Sequence, residues 1–452
     1  MKSLTAGQIA EITGGTLLCG DPETAVTNIQ FDSRNVCEGS LFVPIQGEKV
    51  DAHKFIEQCM EKGAAALTEY EAPKGAVKPY IKTSDNREAM QRLAAWYRQQ
   101  FSVRLIGITG SVGKTSTKEM VAAALSGGLN VMKTQGNRNS QIGMPSTMFE
   151  LSDENQAAVI EMGMSEFGEM DRLSDIARPD MAVMTNIGKA HIENLKTQEN
   201  IMSEKLKITK HFTENSILFI NGDDKLLRTL YGKQPFRTVT FGLHDDCDYY
   251  AENIETVGFG TSFVCVDGQR KRCFNIPALG NHSVANALAA IAVGDALGLS
   301  TDQLQNGLST YKNAPMRQQI CQLGDVTLID DSYNASPEAA KVSLDVLKSI
   351  SKGYSVAVLA DMLELGQQAE TEHYGVGEHL AKAGIDCLIA VGGLSVNTAR
   401  GAKENGCPEV YTAGSNSEAF ECLERVIRPG STVLIKGSRG MHTDEIVKML
   451  KA

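Results

Sequence analysis

The sequence of 452 residues has no excess of positive charge: 44 Lys and Arg stand against 55 Asp and Glu, a formal net charge of -11. A nucleic-acid binder normally carries a basic face, so that class is disfavoured, and anionic ligands must be held by local cations and backbone N–H groups. Also missing is any apolar run of the ~18 residues needed to span a bilayer. The first residues, Met1-Lys2-Ser3-Leu4-Thr5-Ala6-Gly7-Gln8, carry no apolar leader core, so no membrane role is expected. The ten cysteines include no C-x-x-C pair and no His-Cys cluster at metal-ligand spacing, and read as small buried hydrophobes in a reducing compartment. A cytoplasmic protein is expected. No repeat or low-complexity segment occurs, and 42% hydrophobic with 22% charged residues is a globular composition. The length suggests about two to four domains.

What the chain does contain is a phosphate cradle. Gly110-Ser111-Val112-Gly113-Lys114-Thr115-Ser116 joins an apolar β-like run, Val103 to Ile108, to a helical run beginning at Thr115. Glycines let backbone N–H groups converge on phosphate oxygens, a helix N-terminus presents partial positive charge, Lys114 reaches the β/γ-phosphates and Thr115 suits Mg²⁺. The longer form of this loop has another glycine where this chain has Ile108, so a Gly-rich turn with a chance Lys-Thr stays open as the alternative. No Asn-Lys-x-Asp guanine-reading motif follows, which favours ATP over GTP.

Texture divides the chain in three. Residues 1–84 carry short strand-like runs broken by Gly and Pro and read as a small α/β domain. Residues 85–313 open with a helix through Met90, Leu93, Ala94 and Tyr97, then alternate helical segments with strands at 157–160, 181–185 and 217–220. That alternation predicts a mostly parallel sheet wrapped by helices. Residues 314–452 repeat the pattern, with strands at 327–329, 355–359, 387–391 and 432–435, as a Rossmann-like third domain. Gly392-Gly393 and Lys436-Gly437-Ser438 follow two of these strands, where doubly wound sheets place binding loops.

Several polar residues stand where such sheets hold ligands. Glu161 ends the run Ala157-Ala158-Val159-Ile160, a carboxylate that suits Mg²⁺ at the carboxyl edge of a strand or, equally, a solvated loop. His191 follows another apolar run, and a lone histidine is as compatible with a structural role. Lys205, beside Glu204, reads as a solvated helical lysine. Asn286, near the start of an Ala-rich helix, suits a purine edge or a polar helix flank. A strand ends in Asp330-Asp331-Ser332-Tyr333-Asn334 before a Pro337-led helix, which favours a site, and Arg317 is a candidate phosphate clamp.

Together these residues resemble the Mur ligase family over essentially the whole chain. Asp32-Ser33-Arg34, Gly39 to Val43, and Gly47 with Asp51-Ala52-His53 match its uridine-nucleotide pattern, and Thr109 to Thr115 is similar to its short phosphate loop. Gly136 to Pro145 resembles the family's Gly-Asn-x-Asn-Asn-x-Ile-Gly stretch near the substrate, with Ser140 in place of the second paired asparagine. The resemblance implies that Ser33, Arg34, Gly47, Asn137 and Asn139 bind substrate. It makes Thr115, Glu161 and His191 ligands of a pair of Mg²⁺ ions, with Lys205 joining them as a carbamate. It also makes Asn286 an adenine contact, although Ser283 replaces an asparagine there, and puts Arg317, Asp331 and Tyr333 around the nucleotide. Asp330 to Pro337, Asp361 to Gly366 and Lys436 to Met441 look like the dipeptide-adding branch. The Asp-Asn-Pro-Arg motif of the preceding branch is missing, and Ser336 stands where asparagine is usual.

The implied reaction uses ATP to convert the terminal carboxylate of UDP-N-acetylmuramoyl-tripeptide into an acyl phosphate, which the amine of D-alanyl-D-alanine displaces. Lys114, Mg²⁺ and Arg317 are expected to offset the repulsion between two anions. A monomer is expected, with closure of the domains about Asn313-Ala314-Pro315. Two rivals stand beside this reading: folylpolyglutamate synthetase, to which a uridine-nucleotide domain does not belong, and a non-catalytic ATP-binding switch.

Overall fold

Strands buried on both faces need apolar side chains at every position, and the central part of the chain supplies them. In the strand Arg104–Thr109, Leu105 enters one core while Ile106 and Ile108 enter the other, and Ala157–Glu161 and Met181–Met184 alternate in the same way. The structure, a computed structural model, describes residues 2–47 and 50–452. These three strands lie side by side in a nine-stranded sheet, with Arg104–Thr109 between the other two. Register sets Glu161 opposite Ile108 and Met184 opposite Thr109, so the carboxyl ends of the three strands finish level at one edge. Val131–Lys133 closes one side. On the other, Ile217–Asn221, Arg237–Gly242 and Tyr249–Val257 continue in parallel before Gly260–Asp267 and Arg270–Ile276 turn antiparallel.

Of these last strands Gly260–Asp267 carries an apolar run, Phe263 to Val266, but its two neighbours do not. Tyr249–Val257 exposes much of its length, so polar residues interrupt it and no continuous apolar run announces it. The helix Lys114–Ser126 and the Ala-rich helix Asn281–Ala296 cover one face of the sheet. The opposite face packs on the helix Asn86–Arg98, whose N-terminus is capped by Asp85 accepting from the Glu88 N–H at 2.9 Å.

A five-stranded N-terminal sheet runs Thr16–Cys19, Tyr80–Lys82, Ala65–Thr68, Ser40–Phe42, Asn28–Gln30, with the first pair antiparallel and the rest parallel. Its inner face, through Leu41, Leu67 and Ile81, shares one continuous core with Met90, Leu93, Leu105 and Ile208. The C-terminal sheet is six-stranded: Gln319–Leu323, Val326–Asp331, Thr432–Lys436, Ser355–Ala360, Cys387–Val391, Glu409–Ala413, antiparallel only at its first pair. Its two faces carry separate cores. The architecture is therefore α/β, with two mostly parallel sheets presenting strand ends to a common cleft.

All ten cysteines are free; Cys59, Cys247, Cys265, Cys387, Cys407 and Cys422 are buried, while Cys37 and Cys273 are exposed. Among the described residues no helix is long and apolar enough to cross a membrane.

Candidate active site

The cradle forms because two glycines sit where a side chain is excluded, one by space and one by backbone conformation. A Cβ on Gly110 would lie 1.9 Å from the Thr185 hydroxyl, and Gly113 adopts φ 83°, the left-handed region, at the N-cap of the helix that follows. That cap has no side-chain partner, which leaves the first N–H groups of the helix turned toward the cleft. Thr185 and Asn186 fix the loop from the neighbouring strand end. The Thr185 hydroxyl donates to Val112 O at 2.6 Å, and the Asn186 amide both accepts from Val112 N–H at 2.8 Å and donates to Val112 O at 3.1 Å. Sequence reasoning gave neither residue a role; their place just past an apolar run was the available signal.

Lys114 folds over the loop and donates to the carbonyls of Gly110 at 2.7 Å and Ser111 at 3.2 Å. Burial pushes its ammonium below the ordinary range, Glu161 pulls it back, and Arg317 adds to the depression. Lys205 is 1% exposed, so the solvated reading fails. Its amine donates to Gly110 O at 2.9 Å, and burial, reinforced by the Lys114 charge, holds its pKa well below the usual lysine value against the pull of Glu204.

Glu161 is likewise 1% exposed, which removes the solvated alternative. Asn139 donates to its Oε1 at 2.6 Å and its backbone N–H reaches the Thr134 hydroxyl at 3.0 Å, whereas Oε2 has no hydrogen-bond donor. An ionised buried oxygen without a donor is costly, and a hard cation is the partner its chemistry fits. Thr115, also buried, lines the same cavity. His191 adopts φ 61° and its Nδ1 meets Glu364 Oε2 of the C-terminal sheet's loops at 3.0 Å; Glu364 itself has φ 63°. Burial lowers the His191 pKa, Glu364 raises it, and Lys114 and Lys205 lower it. Among the described residues no three His, Cys, Asp or Glu side chains cluster as a ready-made metal cage.

From the C-terminal side, Arg317 lies over the Tyr333 ring, 4.2 Å from its centroid. Its neighbours Met316 and Gln318 have φ of 59° and 48°, a strained turn that presents the guanidinium to the cleft. Asp331 is enclosed: Lys436 Nζ donates to it at 2.5 Å, the Ser343 hydroxyl at 2.6 Å and the Gln318 N–H at 3.2 Å. Lys436 was visible in the sequence only as part of a loop after a strand. The other such loop, Gly392-Gly393, lines neither of the two cavities of this site; its strand stands farther from the cleft and Gly392 packs on the Asp361 carboxylate.

Of these groups Lys114, Thr115, Glu161, His191, Arg317 and Tyr333 line a cavity of about 440 Å³, together with Asn137, Asn139 and Arg439, whereas buried Lys205 lines neither this cavity nor the next. A second, of about 180 Å³, shares Gly113, Arg317 and Lys436 with the first and extends to Asn286 and His282. Asn286 lies inside the helix Asn281–Ala296, not at its cap. The Thr117 hydroxyl donates to its Oδ1 at 2.8 Å, so its amide N–H₂ is free for a ligand. Ser33, Arg34 and Gly47 line neither cavity. They belong to loops of the N-terminal sheet, where Asp32 accepts from the Arg34 N–H at 3.0 Å and pairs with its guanidinium, which holds the Asp32 carboxyl down at about 2. Nearby, buried His53 meets Asp51 at 2.6 Å.

Comparison with known proteins matches three family domains along the chain: "Mur ligase family, catalytic domain" over residues 25–98, "Mur ligase middle domain" over 108–294 and "Mur ligase, glutamate ligase domain" over 316–439. The UDP-N-acetylmuramoyl-tripeptide--D-alanyl-D-alanine ligase of Bacillus subtilis is 37% identical, with 100% of this chain and 99% of the relative aligned. That of Escherichia coli is 34% identical over the same shares. A MurF crystal structure from Acinetobacter baumannii superposes with a TM-score of 0.91 at 31% identity, covering 100% of this chain and 99% of the other. MurF ligase from Thermotoga maritima in complex with ADP gives 0.85 at 27% identity, covering 94% and 97%. The chain belongs to the Mur ligase family.

Proposed function

We propose that this protein is the ATP-dependent ligase that joins D-alanyl-D-alanine to UDP-N-acetylmuramoyl-tripeptide, giving the pentapeptide, ADP and phosphate in peptidoglycan precursor synthesis. The observation that carries the reading is the convergence of Lys114 and buried Lys205 on one carbonyl of the phosphate cradle, Gly110 O, beside a cavity that Lys114 and Glu161 line, with one Glu161 oxygen lacking a hydrogen-bond donor, in a chain alignable end to end with ligases of that name.

In the first step a carboxylate oxygen of the tripeptide attacks the γ-phosphorus of ATP, and the bond to the β,γ-bridging oxygen breaks. In the second, the dipeptide amine attacks the acyl carbon, loses a proton and expels phosphate. The first step brings two anions together, so positioned cations dominate its barrier. Gly110, Ser111, Val112, Gly113, Thr115 and Ser116 cradle the phosphates, Lys114 spans them, Arg317 approaches from the far side, and Asn286, Asp331 and Tyr333 place the nucleoside. Thr115, Glu161, His191 and a carbamylated Lys205 hold Mg²⁺, which supplies charge neutralisation at the transferring phosphoryl group. The depressed pKa of Lys205 supports that assignment, since only a neutral amine adds to CO₂. Asn137 and Asn139 face the acceptor; Ser33, Arg34 and Gly47 anchor its uridine-nucleotide end. The domain limits are taken as 1–84, 85–313 and 314–452, a reading supported by the five-, nine- and six-stranded sheets falling one within each range. The nucleotide-linked acceptor supports the cytoplasm.

The test is phosphate release from ATP and Mg²⁺ with both acceptor and dipeptide present and each omitted in turn, with product mass determined. Release and the pentapeptide mass are expected only with both; tight ATP binding without turnover on any acceptor would favour a nucleotide-binding switch instead.

A further inference from the structure

Lys118 is fully buried, one turn beyond Lys114 on the helix that closes the phosphate cradle, and it contributes to neither cavity. A buried ammonium needs acceptors on every side, and this one has them. It donates to Thr134 O at 2.8 Å and Gly136 O at 3.4 Å, pairs with Glu119 Oε1 at 2.9 Å, and stands 4.0 Å from Glu161 Oε2. Glu119 is shared with Lys133 on the adjacent strand, so the charge of Lys118 is balanced locally.

The two carbonyls belong to the segment that leads into Asn137 and Asn139. Thr134 also accepts, through its hydroxyl, the backbone N–H of Glu161, and Asn139 holds Glu161 Oε1. One side chain therefore ties the helix beneath the nucleotide phosphates to the loop facing the acceptor, and that loop orients the carboxylate whose other oxygen has no hydrogen-bond donor. We propose that Lys118 is a positioning residue for the ligase reaction, acting through the 134–139 loop to aim Glu161 at its metal and Asn137 and Asn139 at the acceptor. This rests on the reading of Glu161 as a Mg²⁺ ligand given above.

The test compares Lys118→Met, which removes the ammonium from an unbranched side chain, with Lys133→Met, which takes the other cation from Glu119 and leaves the carbonyl contacts intact. Mn²⁺ binding in the presence of ADP is followed by electron paramagnetic resonance, and hydrogen exchange is followed at residues 134–140. Lys118→Met is expected to weaken Mn²⁺ by about 10- to 100-fold, as loss of a group behind a metal ligand does. It should also speed exchange in 134–140 and raise the KM for the acceptor while that for ATP holds. Lys133→Met should match the wild type in each. A folded Lys118→Met with wild-type Mn²⁺ affinity and exchange overturns the proposal, and so does an equal loss in Lys133→Met. Should Lys118→Met fail to fold, the wild type decides: Mg²⁺ and ADP alone must slow exchange in 134–140, and no change there overturns the coupling. Those metal and exchange results in a wild type that ignores the muramoyl acceptor would support the role of Lys118 while sinking the acceptor assignment.

Discussion

Lys114 and Lys205 donate to one acceptor, the carbonyl oxygen of Gly110, at 2.7 and 2.9 Å. Two ammonium groups on one neutral oxygen repel, and burial removes the water that would screen them. The strain falls on Lys205, whose pKa drops well below the ordinary 10.5. Its amine is thus available to CO₂, forming a carbamate and releasing a proton. With ¹³C-bicarbonate, wild-type protein should show a carbamate carbonyl resonance that Lys205→Met lacks, and turnover in the variant should fall by about 10²-fold or more. A resonance that survives the substitution would place the carbamate elsewhere.

The same lysine gives stability a pH dependence in the absence of CO₂. Between its lowered pKa in the fold and 10.5 in the unfolded chain, the unfolded state binds more protons, so unfolding free energy climbs with pH across that window. Lys205→Met should flatten the climb without lowering stability at neutral pH. Guanidinium unfolding of both proteins in steps from pH 7 upward, about the range this group governs, measures it; parallel curves would refute the linkage.

Glu161→Gln keeps an acceptor for Asn139 but neutralises the oxygen without a donor. Melting temperature should change little, because the neutralised oxygen has no hydrogen-bond donor and only a long 4.0 Å pairing with Lys118, while turnover falls by about 10²-fold or more and does not recover with added Mg²⁺. Unaltered Mg²⁺ dependence would mean that the cation binds without this carboxylate.

Asn286 is oriented by Thr117, whose hydroxyl holds its oxygen and turns its N–H₂ outward. Asn286→Ala and Thr117→Val should raise the KM for ATP to a similar degree, about tenfold for one hydrogen bond, and leave the KM for the dipeptide alone. Divergent effects of the two substitutions would separate them into independent roles.

Two ion pairs cross from the central sheet's loops to the C-terminal unit: Lys189 with Glu372 at 2.5 Å and His191 with Glu364 at 3.0 Å. Reversing one charge, Lys189→Glu or Glu372→Lys, should weaken closure by ~1 kcal/mol, about fivefold in the acceptor's KM, and the double reversal should restore it. A double variant as poor as either single one would show that the pair does not act as a pair.

The phosphate cradle was legible because its information is local: glycines, a lysine and a threonine between a strand and a helix. The strand ends carrying Glu161 and Asp331 were legible for a similar reason, apolar runs that stop at a polar residue. Lys205 was legible only through the family resemblance, since Ser203-Glu204-Lys205 by itself reads as the wet side of a helix, and only tertiary packing puts Glu204 and Lys205 inside. Lys118 was hidden in the same way. The strands Tyr249–Val257 and Arg270–Ile276 escaped because residues facing water need no apolar run, and only the second of these strands is an edge. The strained turn around Arg317 left no mark at all, as Met316 and Gln318 are not residues that announce a left-handed backbone.

The core that runs unbroken from Leu41 in the N-terminal sheet to Ile208 under the phosphate loop makes those two parts of the molecule a single gauge. An acceptor gripped at its nucleotide end by one and reacting at its carboxyl end on the other is measured against a fixed span. A peptide one residue short would leave its carboxylate stranded before the cradle, however well its nucleotide were bound, and length rather than side-chain identity would be the first thing such a ligase reads.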